Sequence, residues 1–172
     1  AALGTKMTAM LNRPNWLRPA LLEPLLAHQE LLNKRTDVEQ DEDGYFLYDL
    51  DYLEQHLSSL MQQDVIKLWF AVKANPLSKV IKTLAQQGFN FDVASQGELT
   101  QVLAQDVPAD RILNTGPAKS KRQIKAFLEQ GVRTFVVESL NQLQWLNDAA
   151  SELSCQPQVL LRVQLQWEEG EK

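Results

Sequence analysis

Five short apolar runs recur along the chain, and their spacing is the feature that most constrains its fold. The runs start about 22 to 25 residues apart and are VIKLWFAV (65–72), FNFDVA (89–94), RILN (111–114), RTFVVE (133–138) and QVLLRVQ (158–164). This spacing is typical of strands that alternate with helices in a parallel sheet. Because the runs do not closely repeat one another's residues, the pattern predicts an α/β barrel or a doubly wound sheet rather than a solenoid.

The segments between the runs carry helix start and stop signals. Asn75-Pro76 predicts an N-cap followed by a proline at the first helical position. Serine followed three residues later by glutamate or glutamine, the spacing of a capping box, occurs at Ser95/Glu98, Ser120/Gln123 and Ser139/Gln142. Gly88 and Gly131 fall where a helix must end before the next strand.

The residues before the first run form a separate part. Leucines on one face predict a helix within 19–35, with Pro24 near its start, and the acidic stretch 36–44 predicts an exposed connector. YFLYD predicts a short strand, and the segment from Asp51 predicts a helix. We therefore divide the chain into an N-terminal helix and connector, 1–44, and a βα part, 45–172.

Composition excludes several classes of partner. The chain has 172 residues, 44% hydrophobic and 23% charged, with a net charge of −5, so a basic surface for nucleic acid or membrane is not indicated. No apolar run approaches the ~20 residues of a membrane span, and AALGTKMTAM lacks the apolar core of a signal peptide. Cys155, the single cysteine, excludes an internal disulfide and lacks metal-site spacing, so a cytoplasmic location is predicted.

Polar residues end the apolar runs. Parallel α/β folds bind ligands at the carboxyl ends of their strands. The residues in that position are Lys73, Asp92, Asn114, Glu138 and Arg162. We expect their side chains to converge, although strand-to-helix loops favour polar residues in any case. The nearby Gly116-Pro117 with Lys119 is only a weak phosphate-loop signal, because the P-loop pattern is missing.

Each of the sharper candidates has a structural alternative. Lys73 is either a rim lysine with its head in solvent or a nucleophilic amine, whose neutral form apolar neighbours would favour. Asp92 either pairs with a loop amide or lysine or holds a cofactor ring. Arg162 meets either a core carboxylate or an anionic cofactor group. Glu98 is half of a helix cap.

Six segments of the chain occur in a characteristic order: YFLYDLDYLEQ, FAVKANP, FDVASQGEL, ILNTGPAKS, VESLNQL and LLRVQ. Together they resemble the N-terminal half of the pyridoxal-phosphate-dependent decarboxylases of the ornithine, diaminopimelate and arginine group. The resemblance covers roughly residues 45 to 165. It implies an alanine-racemase-like (βα)8 TIM-type barrel, present here as a partial barrel without the family's C-terminal β-domain. It disfavours the racemases of this barrel, which resemble a different segment after the lysine.

The resemblance also implies site residues. Lys73 matches the family's lysine that holds pyridoxal 5'-phosphate as a Schiff base, and Ala71 matches a position lining the ring. Asp92 and Glu98 match an aspartate near the ring and the glutamate that follows it, and Arg162 matches an arginine near the cofactor. The implied reaction is decarboxylation of an amino acid.

The implied partners are an amino-acid substrate and a second subunit. Ornithine, lysine, arginine, diaminopimelate, carboxynorspermidine and a siderophore precursor all remain allowed, because the family's specificity residues lie further along. Family members complete their sites across a homodimer, so we expect a chain that stops in mid-barrel to be inactive alone. The alternative is a non-catalytic homologue that regulates a decarboxylase or only binds the cofactor.

Overall fold

The computed structural model of the protein describes residues 17–32, 46–61 and 66–164. The chain divides into two compact units, Ala1–Asp49 and Leu50–Lys172, which are described separately. Some predicted features, including the acidic connector at 36–44, lie outside the described residues.

The first unit contains helix α1 (Pro19–Leu32). The helix begins at Pro19, where the missing N–H costs nothing, so the prediction that Pro24 lies near its start is wrong. Residues 46–49 form no strand, which corrects the strand predicted at YFLYD over these residues. Instead, the Arg18 guanidinium forms an ion pair with the Asp49 carboxylate, so an electrostatic contact fixes the end of this segment.

The second unit alternates strands and helices after an initial helix. Its elements are α2 (Leu50–Leu60), β1 (Trp69–Ala71), α3 (Ser78–Gln86), β2 (Asn90–Val93), α4 (Gln96–Leu103), β3 (Ile112–Asn114), α5 (Lys121–Glu129), β4 (Thr134–Val137), α6 (Leu140–Glu152) and β5 (Gln158–Leu161). The strands form one parallel sheet in the order β1-β2-β3-β4-β5. Sequential order without a reversal is that of a partial (βα)8 barrel, whereas a doubly wound sheet reverses at a switch point.

The sheet has two different faces because side chains alternate along each strand. Phe91 pairs with Ile112 in the register, and both are fully buried; we call their side the helix-covered face. Ala71, Asp92 and Leu113 are neighbours in the same register one residue later, and they lie on the opposite, open face. The core beneath the helices includes the large buried residues Ile81, Leu99, Ile124, Phe127, Phe135 and Leu146.

The predicted capping serines and terminal glycines are confirmed. The hydroxyl oxygens of Ser95, Ser120 and Ser139 each accept a hydrogen bond of 3.2 Å from the backbone N–H three residues later. Gly88 and Gly131 have φ values of 89° and 90°, a left-handed conformation that releases the helix into the next strand. These local signals position the loops on both sides of the sheet.

The predicted start of α3 at Asn75-Pro76 is wrong. The helix begins at Ser78, with Leu77 as the N-cap residue. Asn75 Oδ1 accepts a hydrogen bond of 3.2 Å from the Leu77 N–H, which closes a local turn. An asparagine side chain can satisfy the backbone in this way instead of capping a helix, so the helix starts after the turn.

Candidate active site

Lys73 lies just beyond β1. It occupies a short 3-10 turn, Val72–Ala74, at the end of the run, as predicted. The turn is closed by a hydrogen bond of 3.1 Å from the Asn75 N–H to the Val72 carbonyl, and the Val72 side chain is fully buried. This anchor leaves the Lys73 side chain exposed at the carboxyl edge of the sheet.

The environment of Lys73 matches one of the two alternatives left open for it, a rim lysine with its head in solvent. The side chain is exposed, its preceding neighbour, Val72, faces the core, and the apolar surroundings of the other alternative are not observed. Val72 therefore packs beneath the sheet and does not enclose the amine. An exposed primary amine remains accessible to an aldehyde.

Asp92 is brought beside Ala71 on the open face. The two residues are paired neighbours on β2 and β1, and Leu113 follows on β3. Asp92 is partly buried, and the Thr115 hydroxyl donates a hydrogen bond to its Oδ1. Thr115 was missed in the sequence, although it follows the RILN run two residues after Leu113 and so shares its face.

Arg162 and Glu138 meet at the ends of β5 and β4. Arg162 Nη1 lies 3.5 Å from Glu138 Oε1, and the backbone N–H of Arg162 donates a hydrogen bond of 3.0 Å to the Val137 carbonyl. The Arg162 side chain is 65% exposed, and of the two kinds of anion predicted for it, the structure shows a carboxylate, that of Glu138. The ladder ends here, which turns the guanidinium toward solvent and toward Glu138.

Asn114 does not join this group. It is fully buried on the helix-covered face, in register with Val93 and Phe135, whereas Asp92 lies on the open face. Its Nδ2 donates a hydrogen bond of 3.1 Å to the Val93 carbonyl. The expectation that Asn114 converges with the other strand-end residues is therefore wrong, because strand register assigns it to the opposite face.

Glu98 caps α4. Its Oε2 accepts a hydrogen bond of 2.7 Å from the Ala94 N–H, while its own N–H donates to Ser95 Oγ. The carboxylate is thus committed to the backbone at the loop that follows β2. Gln142 makes the equivalent contact at α6, where its Oε1 accepts a hydrogen bond of 2.9 Å from the Glu138 N–H. The Glu98 cap thus holds the loop after β2, and the Gln142 cap holds the loop after β4.

Lys119, named above with Gly116-Pro117 as a weak phosphate-loop signal, is a charged residue whose burial the sequence did not predict. Its side chain is only 5% exposed, and Nζ donates a hydrogen bond to the Gly116 carbonyl. Burial lowers the pKa of Lys119 below its ordinary value, Glu138 and Asp92 oppose that shift, and Arg162 adds to it. The ammonium therefore shares an electrostatic environment with the acids and the arginine at the carboxyl edge.

The carboxyl edge of the sheet combines the exposed amine of Lys73 with equal numbers of acidic and basic side chains nearby. Asp92 and Glu138 contribute two carboxylates, and Lys119 and Arg162 contribute two cations. Within 17–32, 46–61 and 66–164, no group of three or more histidine, cysteine, aspartate or glutamate side chains could hold a metal ion. A separate groove lies between α6 and β5. It is lined by residues such as Ala150, Cys155 and Val159 and includes none of the predicted site residues.

The family assignment comes from the match of residues 51–172 to one family model. That model describes the pyridoxal-dependent decarboxylases, pyridoxal binding domain. The chain belongs to this family. The match covers well over half of the sequence and includes every strand and helix of the second unit except the first residue of α2.

Individual relatives agree with the family. A Staphylococcus aureus protein named 2-[(L-alanin-3-ylcarbamoyl)methyl]-2-hydroxybutanedioate decarboxylase is 35% identical over 123 residues, which cover 70% of this chain and 30% of that protein. Diaminopimelate decarboxylase of Haemophilus influenzae is 32% identical, covering 79% and 34%. A structure of Vibrio vulnificus lysine/ornithine decarboxylase complexed with cadaverine is 26% identical, with a TM-score of 0.66, covering 86% and 37%. The chain thus spans about a third of the length of these relatives.

The fold and cofactor predictions are confirmed. The chain forms part of the alanine-racemase-like TIM-type barrel of these decarboxylases, and the family is pyridoxal-dependent. The residues present fit pyridoxal phosphate, because an exposed amine can react with its aldehyde. Ala71 places a small side chain beside Asp92 on the open face.

Proposed function

We propose that this chain is the cofactor-binding part of a pyridoxal-phosphate-dependent amino-acid decarboxylase, with Lys73 holding the cofactor through a Schiff base. One observation carries the proposal: the family match spans 51–172, and Lys73 lies exposed at the carboxyl edge, directly after the strand that pairs with Asp92. A carboxyl edge is where parallel barrels bind their ligands.

The other site residues have supporting geometry. Ala71 would line the cofactor ring from the open face. Asp92, which the Thr115 hydroxyl orients, would lie near the ring. Arg162 would supply positive charge from the end of β5, where Glu138 restrains it. Glu98 would fix the loop after β2 and present its remaining oxygen, Oε1, to the site.

The reaction requires little acid–base chemistry from this part of the chain. When bound, pyridoxal phosphate supplies the electron sink that makes loss of carbon dioxide from an amino acid possible. The residues of the open edge bind the cofactor, orient it and balance its charge. Their contribution is positional and electrostatic, which is the usual role of a protein toward a cofactor.

The substrate that we propose is a diamino or basic amino acid, diaminopimelate or a related precursor of siderophores or polyamines. The relatives named above support this range, since they are named for diaminopimelate, for lysine and ornithine, and for an alanine-derived citrate amide. The described edge does not favour one of these, because its two acids are already matched by two cations.

We further propose a cytoplasmic enzyme that works as a homodimer. The single cysteine, Cys155, is a free, partly buried thiol, which suits a reducing compartment. Over the ranges that the structure describes, no helix is both long enough and apolar enough to cross a lipid bilayer. Sedimentation velocity of the protein with and without pyridoxal phosphate would test the dimer.

Two measurements test the proposed function. Titration with pyridoxal phosphate should give a visible absorbance change that pyridoxine phosphate, which lacks the aldehyde, does not give. Lys73→Ala should abolish that change. Carbon dioxide release from ornithine, lysine, arginine and diaminopimelate then separates the alternatives. Release from one of them supports a decarboxylase. Because we expect this chain to be inactive alone, absence of release supports a non-catalytic homologue only when it is measured on a protein that spans the full length of the relatives.

A further inference from the structure

Gln142 is a buried polar residue that has no role in the function proposed so far. Among the residues that the structure describes, the buried polar side chains are those of Gln142, Asn114 and Lys119, and that of Gln142 is only 4% exposed. Gln142 lies in the first turn of α6, where its backbone N–H donates a hydrogen bond of 3.2 Å to Ser139 Oγ. A capping box uses only the side-chain oxygen of this residue, so its amide nitrogen is available for a second contact.

The two ends of the Gln142 amide are bonded to different loops. Oε1 accepts a hydrogen bond of 2.9 Å from the Glu138 N–H, in the loop after β4. Nε2 donates a hydrogen bond of 2.9 Å to the Pro117 carbonyl, in the loop after β3. An ionised glutamate at this helix position, such as Glu98 of α4, can make only the first kind of bond, because a carboxylate has no donor. The glutamine therefore joins two neighbouring loops at the carboxyl edge of the sheet.

The loop after β3 carries the contact to Asp92. Two residues before Pro117, the Thr115 hydroxyl donates a hydrogen bond to Asp92 Oδ1. Between Thr115 and Pro117, Gly116 has a φ of 96°, and an added Cβ would lie 3.3 Å from Ala94 Cβ. The loop is therefore packed closely against the loop after β2. A displacement at Pro117 would move Thr115, and with it the donor that orients Asp92.

The loop after β4 carries the contact to Arg162. Glu138, whose N–H is bonded to Gln142, has its Oε1 3.5 Å from Arg162 Nη1. Gln142 is thus the middle member of a series of contacts across the ends of four strands. The contacts join Asp92 to Thr115, Pro117 to Gln142, Gln142 to Glu138 and Glu138 to Arg162. The series connects two residues that the proposed function places near the cofactor.

We propose that Gln142 is a positioning residue of the cofactor site, whose amide fixes the places of Asp92 and Arg162 relative to each other. This inference rests on the proposed function, because it assigns Gln142 to the site that Lys73 defines. Without the amide, α6 can still begin at Ser139, but the loops after β3 and β4 are no longer joined. The two charged side chains then lose their fixed spacing, and affinity for pyridoxal phosphate should fall even where the fold is intact.

The test compares Gln142→Met with Ser139→Ala in equilibrium titrations with pyridoxal phosphate. Methionine matches the length of glutamine without its amide, so Gln142→Met removes both side-chain hydrogen bonds. Ser139→Ala removes the cap of the same helix and leaves the Gln142 amide in place, so both variants should melt several degrees below the wild type. We expect Gln142→Met to bind the cofactor about fivefold to tenfold more weakly and Ser139→Ala to bind it as the wild type does.

A second pair of variants decides if Gln142→Met fails to fold. In Gln142→Glu at alkaline pH, the ionised carboxylate still accepts the hydrogen bond from the Glu138 N–H but cannot donate one to the Pro117 carbonyl. Asn141→Asp, at an exposed position of the same helical turn, adds the same charge and keeps the Gln142 amide. We expect Gln142→Glu to bind pyridoxal phosphate several-fold more weakly than Asn141→Asp. Equal affinities of these two variants would exclude the role.

Two results with the first pair would overturn the inference. One is equal affinity of Gln142→Met and the wild type. The other is an equal loss of affinity in Ser139→Ala, which would indicate that Gln142 acts only through the stability of α6.

Peptide mapping of the borohydride-reduced cofactor adduct on the same samples separates the two proposals. A label on Lys73 together with unchanged affinity in Gln142→Met would overturn only the role of Gln142. A wild-type protein with no label on Lys73 would overturn the proposed function itself.

Discussion

The Thr115 hydroxyl donates a hydrogen bond to Asp92 Oδ1, and this contact joins the carboxyl ends of β3 and β2 on the open face. It fixes the Asp92 carboxylate beside Ala71, the last residue of β1, and β1 is the strand that precedes Lys73. The neutral Thr115 hydroxyl thus orients Asp92, the acidic residue on the strand that pairs with β1, next to the predicted cofactor lysine, Lys73.

Thr115→Val should disorient Asp92 while it keeps the side-chain shape. We expect affinity for pyridoxal phosphate to fall several-fold and the free energy of unfolding to fall by about 1 kcal/mol, the net value of one hydrogen bond. Thr134→Val, at the other end of the same face, is the control and should leave cofactor affinity unchanged. Equal affinities for Thr115→Val and wild type in absorbance titrations would exclude this role for Thr115.

Gly131 and Gly97 should respond to alanine in opposite directions. Gly131 has a φ of 90°, and an added Cβ would lie 3.2 Å from Ala109 Cβ, so Gly131→Ala should cost about 1 to 2 kcal/mol of unfolding free energy. Gly97 lies inside α4, with only Ser95 Oγ at 3.9 Å, so Gly97→Ala should stabilise by up to about 1 kcal/mol. Urea unfolding measures both. A stabilising Gly131→Ala would contradict the described helix end.

Glu98 has two proposed roles that one substitution separates. In Glu98→Gln, the amide oxygen can still accept the hydrogen bond from the Ala94 N–H, so unfolding free energy should change by less than about 1 kcal/mol. If the carboxylate also serves the site, affinity for pyridoxal phosphate should change several-fold. Glu129→Gln, at the exposed end of α5, provides the control for the loss of one negative charge. Unchanged affinity in Glu98→Gln would leave Glu98 a helix cap alone.

Lys119 should make stability rise with pH. Burial lowers its pKa from the ordinary 10.5, so between the lowered pKa and 10.5 the unfolded chain holds a proton that the folded protein has released. Free energy of unfolding therefore increases with pH across that window, and Lys119→Met should lack this contribution. Below the lowered pKa the group contributes no slope, because both states are protonated.

The control for this pH dependence is Lys125. The hydrogen bond with Glu152 raises the pKa of Lys125, so its contribution to stability is lost as pH rises through the raised pKa. The measurement is the difference in unfolding free energy between wild type and each variant over a pH series. A difference for Lys119→Met that stays flat or falls with pH would contradict the burial of its ammonium.

The features predicted correctly from the sequence are those set by local chemistry. Ser95 and Ser139 cap their helices because the capping box is encoded within four residues, and Gly131 ends a helix because few other residues adopt its φ. The spacing of apolar runs was sufficient for the parallel sheet. The places of Lys73 and Asp92 at the carboxyl edge were predictable because these residues follow or interrupt such runs, and their roles toward the cofactor stay predictions.

The features that the sequence did not reveal depend on tertiary structure. Asn114 ends its run as Asp92 does, but register places the two on opposite faces. Lys119 lies in a loop, and only the fold of that loop against β3 buries its head. The amine of Lys73 is exposed because its neighbour Val72 packs into the core, an outcome that the apolar run alone could not distinguish from enclosure.

The most direct test of the central claim is to locate the covalent cofactor adduct. The protein is saturated with pyridoxal phosphate, reduced with borohydride, digested and analysed by mass spectrometry, with Lys73→Ala treated in parallel. We predict one pyridoxyl group, on Lys73, and none in the variant. A pyridoxyl group on Lys119 or another lysine, or an unlabelled wild-type protein, would contradict the account.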